Sequence, residues 1–313
     1  MVNKNTLAAE SVASGDLRSD LDLTGTELRV LLQLAAEVKA RPRDYTQALR
    51  DKYVSMLFEK PSLRTRLTFE LAVKQLGGDV VVSIGMIGDR EPVQDIARNL
   101  DRWTQCIVAR VFSQETIDEL AKWSSVPVVN ALSDLYHPCQ ALADVQTIAE
   151  RFGTCQGKKL AYVGDGNNVA HSLLLTGARL GMHIAVATPS GFEPNATIVE
   201  QARMFAAENS GSVRITSSAV EAVSEAHAVY TDVWASMGQE AEAEERKRIF
   251  APFQVNAGLM AGASKDGIFL HCLPAKRGQE VTDEVMESAQ SAIFDQAENR
   301  LHAQKALLLM LMR

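Results

Sequence analysis

VSMLFEKPSLRTRLTFELAVKQLGG, residues 54–78, reads as one complete strand–turn–helix step. VSMLF is an apolar run rich in strand formers, and Pro61 ends it. Ser62 suits the N-cap of the helix that follows, which the spacing starts near Arg64. Leu67 and Leu71 lie on one face of that helix, and Phe69, Ala72, Val73 and Leu76 on the adjoining one. Gly77-Gly78 stops it. The turn is cationic, with Lys60, Arg64 and Arg66 close together. Ser62, Leu63, Arg64 and Thr65 occupy the first helical turn, where backbone N–H groups and the helix dipole attract an anion. Two hydroxyls and a guanidinium add donors suited to phosphate. The plainer alternative is a capped helix with a solvated basic face.

The same step repeats along the chain. KYVSMLF, DVVVSI, CIVARV and PVVNA read as strands, with helices starting near Arg64, Val93, Glu115 and His137. KLAYVG, HIAVATP, VRITS, AVYTDVW and IFLHCLP read as five more, with helical runs from Asn168, Pro194, Ala219 and Glu240. A further helix covers Thr26–Ala40, and a long one closes the chain over about 288–313. Val- and Ile-rich strands alternating with crossover-length helices predict an α/β fold of two domains, each a parallel sheet flanked by helices. The boundary falls near 150–157, where ERFGTCQGKK breaks the helical pattern. Residues 1–20 read as poorly ordered. A cleft between two such halves is the expected place for a substrate.

Composition narrows the partners. The 313 residues carry 32 basic and 39 acidic side chains, a net charge of −7. That argues against a broad nucleic-acid or anionic-membrane surface, so any anion must be caught locally. The amino terminus has no apolar core of a signal peptide, and no apolar run is long enough to span a bilayer. Cys106, Cys139, Cys155 and Cys272 show no CxxC spacing and read as free thiols in a reducing compartment. A cytoplasmic protein with no metal and no cofactor is the expectation.

Five segments in order then carry a resemblance over nearly the whole chain from about residue 20. SLRTR (62–66) resembles the S-T-R-T-R motif of the aspartate/ornithine carbamoyltransferase family, and HPCQ (137–140) its H-P-x-Q. DVWASMG (232–238) and HCLP (271–274) resemble segments of its ornithine carbamoyltransferase branch, as does GDGNNVAHS (164–172). The resemblance implies a carbamoyl-phosphate-binding domain over 1–150 and an ornithine-binding domain over 151–290. It also implies a terminal helix, 291–313, that returns to the first domain. It implies transfer of the carbamoyl group to the δ-amine of L-ornithine, giving L-citrulline and phosphate, by a homotrimer or a multiple of trimers.

The chemistry sets three tasks: hold the phosphate as leaving group, polarise the carbonyl oxygen, and deliver a neutral amine. Ser62, Arg64, Thr65 and the Leu63 backbone suit the first. The resemblance assigns the second to Thr65, Arg110 and His137. Arg110 ends CIVAR, at a strand's carboxyl edge. His137 opens a helix, which lowers a histidine pKa and favours a neutral N–H donor. Gln140, one turn on, suits the carbamoyl amide. Asp232 suits the α-ammonium and Asn168 the amino-acid end, while Ser236 and Met237 line the same pocket. Cys272 sits where the δ-amine arrives, and Leu273 follows it beside the carbamoyl group. Arg300 matches the arginine that the family's last helix brings back to carbamoyl phosphate.

Leu63 departs from the family's Thr, at the cost of one hydroxyl contact. Met86 stands where many relatives place a glutamine that reaches carbamoyl phosphate. GDGNN invites a dinucleotide reading, but Val169 replaces the third glycine and no acidic residue follows HIAVATPS. Rival readings are a carbamoyltransferase for an acylated ornithine or putrescine, and a non-enzymatic ligand sensor on the same fold.

Overall fold

The computed structural model describes residues 11–235 and 242–312. The chain forms two compact units. One runs to Gln146 and resumes at Glu298, and the other is Thr147–Ala297.

In the first unit, α1 (Gly25–Ala40) precedes a repeated strand–helix series. It comprises β1 (Tyr53–Phe58), α2 (Leu63–Gln75), β2 (Asp79–Ile84), α3 (Val93–Trp103), β3 (Cys106–Arg110), α4 (Gln114–Trp123), β4 (Val128–Leu132) and α5 (Pro138–Phe152), which passes into the second unit at Thr147. The four strands pair in parallel in the order β2-β1-β3-β4. Helices cover the sheet, so β1 and β3 are buried nearly throughout, which is why they read as unbroken apolar runs. Leu57, Ile107, Ala109 and Val128 pack with Ile117 and Leu120 of α4 in one apolar cluster. Strand order reverses between β1 and β3. Their following loops therefore diverge and leave a crevice at the carboxyl edge, the usual ligand position in such sheets.

The amino-terminal expectation needs correction over residues 11–20; residues 1–10 lie outside the described residues. Leu17 is fully buried and makes a one-residue parallel bridge to Val129. Its N–H donates to the Val128 carbonyl, and its carbonyl accepts from the Asn130 N–H. An apolar side chain and two backbone bonds cover the outer edge of β4, which explains why this segment is ordered.

The second unit contains β5 (Lys159–Val163), α6 (Asn168–Arg179), β6 (His183–Ala187), α7 (Ala196–Glu208), β7 (Ser212–Thr216), α8 (Ala219–Val223) and β8 (Ala228–Thr231). It continues with α9 (Ala243–Phe250), α10 (Ala257–Met260), β9 (Ile268–His271) and α11 (Asp283–Met286). Its five strands are parallel in the order β7-β6-β5-β8-β9, and the order reverses between β5 and β8. The last helix, α12 (Ile293–Leu311), starts in the second unit and passes into the first at Glu298. There Lys39 Nζ donates to Asn299 Oδ1 at 2.8 Å, Lys305 to Gln75, and Lys52 to the Met312 carbonyl. The return of the terminal helix to the first unit is thus part of the fold.

Gly166, in the glycine-rich turn after β5, has a structural cause. A Cβ there would lie 2.3 Å from Pro194 N and 2.6 Å from the Phe192 carbonyl, while the Gly166 N–H donates to that carbonyl. The turn needs glycine because another backbone crosses it. Gly166→Ala is therefore expected to destabilise the protein by about 1–3 kcal/mol, read as a lower urea midpoint. An unchanged midpoint would mean the crossing segment yields freely.

Candidate active site

In the first unit, the β1–α2 turn places Ser62 at the N-cap and Thr65 as the third helical residue. Ser62 has the extended backbone of a cap, but its hydroxyl makes no capping bond, contrary to the expected role. Leu63 faces outward, 70% exposed, and Arg64 is half-buried. Thr65 is 1% exposed, and its Oγ1 accepts from two cations. Arg300 Nη2 donates at 2.8 Å, from the buried face of α12, and Arg110 Nη1 at 3.3 Å, from the end of β3. Two guanidiniums thus meet at a helix start whose own N–H groups are positively polarised. This is the crevice where the strand order reverses.

His137 is buried just ahead of α5, and its carbonyl accepts from the N–H groups of Gln140 and Ala141. Its pKa lies well below 6.5, first because burial disfavours the imidazolium, then through Arg300 and Arg110. Burial and the two cations thus favour the expected neutral imidazole, in addition to the helix start. Gln140 is also buried and donates from Nε2 to Asp144 Oδ1 at 2.8 Å. Cys139 points away, its thiol against the Asn130 carbonyl at 3.4 Å. Met86, after the edge strand β2, is exposed.

In the second unit, the corresponding crevice between β5 and β8 holds Asp232, just past β8. Its Oδ2 accepts from Asn167 Nδ2 at 2.9 Å, and its Oδ1 from Cys272 Sγ at 3.0 Å and the Val233 N–H at 2.8 Å. A carboxylate offers about four acceptor sites, so capacity remains for an incoming cation. Sequence reading chose Asn168, but Asn167 meets Asp232, and it also caps α6 through Oδ1. The known preference for Asn at N-caps was the signal that pointed to it. Asn168 is the first residue of α6 and half-buried. Ser236 and Met237 lie outside the described residues.

Several supporting residues escaped the sequence reading. Arg246 of α9 is buried, pairs with Asp165 at 2.6 Å and donates from Nε to the Trp234 carbonyl at 2.8 Å. It ties the chain after Asp232 to the turn after β5. Asp165 still has a raised pKa, because burial outweighs the pull of Arg246. At the end of β9, His271 Nδ1 accepts from the Leu273 N–H at 2.8 Å, so the ring proton sits on Nε2, 3.3 Å from Glu280 Oε1. Leu273 takes a left-handed φ of 58°. The tethered His271 ring holds that turn and so sets Cys272 against Asp232. Asp232, His271 and Cys272 each offer a ligand atom within 4.8 Å of the others. Both His271 nitrogens, however, already serve the turn.

Two family models match the chain. Residues 16–150 match the aspartate/ornithine carbamoyltransferase carbamoyl-P binding domain, and residues 156–311 the Asp/Orn binding domain. The chain belongs to this carbamoyltransferase family. An ornithine carbamoyltransferase of Thermococcus kodakarensis is 50% identical, the match covering 96% of this chain and 98% of that one. The solved ornithine carbamoyltransferase of Pyrococcus furiosus superposes with a TM-score of 0.94 at 48% identity, over 96% and 98% of the two chains. A solved acetylornithine transcarbamylase complexed with acetylcitrulline is more distant, at 31% identity and a TM-score of 0.85, over 94% and 98%.

The depressed pKa of His137 gives stability a pH signature. Folded protein keeps the ring neutral, whereas the unfolded chain binds a proton near pH 6.5. Stability in this group is complete above pH 6.5 and falls below it, by up to about 1.4 kcal/mol per pH unit. Urea unfolding between pH 5 and 6.5 is expected to show a shallower pH dependence in His137→Asn than in the parent. Equal slopes would mean that His137 is protonated in the fold.

Proposed function

We propose that the chain transfers the carbamoyl group of carbamoyl phosphate to the δ-amine of L-ornithine, giving L-citrulline and phosphate. The observation that carries this reading is the pair of guanidiniums, Arg110 and Arg300, gripping the Thr65 hydroxyl at the start of α2. A doubly negative leaving group is matched by such a concentration of positive charge.

The roles divide by chemistry. Ser62, the Leu63 N–H, Arg64, Thr65 and Arg300 hold the phosphate. Arg110, Thr65 and the neutral His137 donate to the carbonyl oxygen as it becomes an oxyanion, and Gln140 meets the carbamoyl NH2. Asp232 takes the α-ammonium, with Asn168, Ser236 and Met237 around the amino-acid end. Cys272 and the Leu273 backbone meet the δ-amine and the carbamoyl group. Free ornithine arrives with its δ-nitrogen protonated, as in lysine, and the hydrogen bond between Cys272 and Asp232 supports this pair as the acceptor of that proton. The neutral nitrogen attacks the carbonyl carbon. The C–N bond forms as the oxyanion develops, the C–O bond to phosphate breaks as the oxyanion collapses, and the second amine proton leaves with phosphate.

Asp232 also favours free ornithine over its rivals. An acylated ornithine has no α-ammonium for this carboxylate, and putrescine lacks the carboxylate that the neighbouring donors would bind. A ligand sensor has no need of the oxyanion donors retained here. The protein acts in the cytoplasm as a homotrimer or a multiple of trimers. Its four free thiols suit a reducing compartment, and among the described residues no helix is long and apolar enough to cross a membrane. Leu63, Leu67 and Leu71 form an exposed apolar stripe on α2, with Val81 and Ile84 exposed on the edge strand β2. Such a surface favours burial against another copy.

Incubation with carbamoyl phosphate and a panel of amines tests the reading. The expected result is citrulline and phosphate, with L-ornithine ahead of N-acetylornithine and putrescine in kcat/KM. Arg64→Ala is expected to lower turnover by about 10²–10³-fold, the usual loss for one such donor. No carbamoylated product from any amine would favour the sensor.

A further inference from the structure

We infer that Asp144 makes the site selective for a carbamoyl group over other acyl groups, by fixing which end of the Gln140 side-chain amide faces the substrate. The inference rests on the proposed contact between Gln140 and carbamoyl phosphate.

A primary amide has two ends of nearly equal size and opposite hydrogen-bonding sense. With its oxygen presented, Gln140 accepts from an NH2 group. With its nitrogen presented, it suits an acceptor in the same place, and sterics alone barely separate the two. Carbamoyl phosphate differs from acetyl phosphate by NH2 in place of CH3, so the orientation of this amide decides whether the site can distinguish them.

The fold settles the orientation. Gln140 and Asp144 are four residues apart on α5, on one helical face. Asp144 is fully buried, and its Oδ1 lies 2.8 Å from Gln140 Nε2. A carboxylate accepts and does not donate, so it holds the NH2 end and turns Oε1 away from itself. Gln140 is 1% exposed, and its Oε1 has no hydrogen-bond partner among the described residues. Leaving a buried acceptor unmatched costs about 1–3 kcal/mol. An NH2 donor removes that cost, whereas a methyl group leaves it in place. A site built to bind a polar group rejects the analogue that lacks it far better than an apolar pocket does. Asp144 is thus a positioning residue, acting through Gln140. The plainer role of a Gln–Asp helix pair is stability alone, which selectivity measurements would not register.

A double-mutant cycle separates the two. The parent, Gln140→Ala, Asp144→Asn and the double variant are compared in kcat and KM for carbamoyl phosphate, and in inhibition by acetyl phosphate. Asparagine keeps the shape but can donate as well as accept, so it releases the amide to turn over. The expected result is that Asp144→Asn lowers the ratio of the acetyl phosphate inhibition constant to the carbamoyl phosphate KM by about tenfold. Adding it to Gln140→Ala should change nothing further. A loss of equal size with and without Gln140 would overturn the inference, as would an unchanged ratio. If Gln140→Ala itself left the ratio and the KM unaltered, the Gln140 contact would fail, and the inference with it. Should Asp144→Asn not fold, neutron diffraction of the parent answers directly. Two deuterons on the Gln140 atom facing Asp144 are expected, and a carbonyl oxygen facing a deuterated Asp144 would refute the orientation.

Discussion

Two guanidiniums share the Thr65 hydroxyl in the first unit, and much of the fold exists to make that meeting possible. Like charges this close repel, so they stay together only where the scaffold holds each from a separate direction. Arg110 is fixed by the last pairing of β3, in register with Phe58 of β1. Thr65 is fixed by the turn that Pro61 and Ser62 impose between β1 and α2. Arg300 arrives on α12, which is fastened to the first unit through Asn299, Lys305 and Met312. These polar anchors, unusual on a largely buried helix, set its rotation and depth. The cluster also acts on His137, helping burial to hold its ring neutral. In the proposed reading, one concentration of positive charge serves both the phosphate and the donor set around the carbonyl.

The second unit solves the opposite problem with the same geometry. Its crevice also lies where strand order reverses, but there the loops after β5 and β8 bring Asn167 to Asp232, and the end of β9 adds Cys272. The first unit gathers cations, as the proposed binding of a dianion needs, and the second gathers a carboxylate and a thiol, as the proposed binding of a diamine needs. Support around each centre is buried and specific: Asp144 behind Gln140, Arg246 behind the chain after Asp232, and the Glu280–His271 pair behind Leu273.

What the sequence revealed follows from how local each signal is. The nine strands among the described residues were visible as short apolar runs, and the inner ones are apolar on both faces because helices cover them. Thr65, Arg110, His137 and Arg300 were found through motif resemblance, and the structure brings them together in the first unit. Asp232 and Cys272 likewise converge in the second. Asn167 was passed over for its neighbour, although its position before α6 marked it as a cap. The ordering of Leu17 was not legible, because a single apolar residue in a polar segment carries no period. Asp144, Arg246 and Glu280 gave no signal, because their partners are set by tertiary packing or by one rotamer choice. Two causes of the His137 shift were illegible for the same reason: burial and the approach of Arg300 arise only once α12 has docked.

The central claim is that the Thr65 hydroxyl gathers Arg110 and Arg300 into one receptor for a dianion. Calorimetric titration of carbamoyl phosphate into the parent and Thr65→Val tests it most directly, because valine keeps the branched shape and removes only the atom both cations grip. The expected result is a dissociation constant raised by about 10–100-fold, in line with the loss of charge-assisted hydrogen bonds. Equal affinity in the two proteins would contradict the claim.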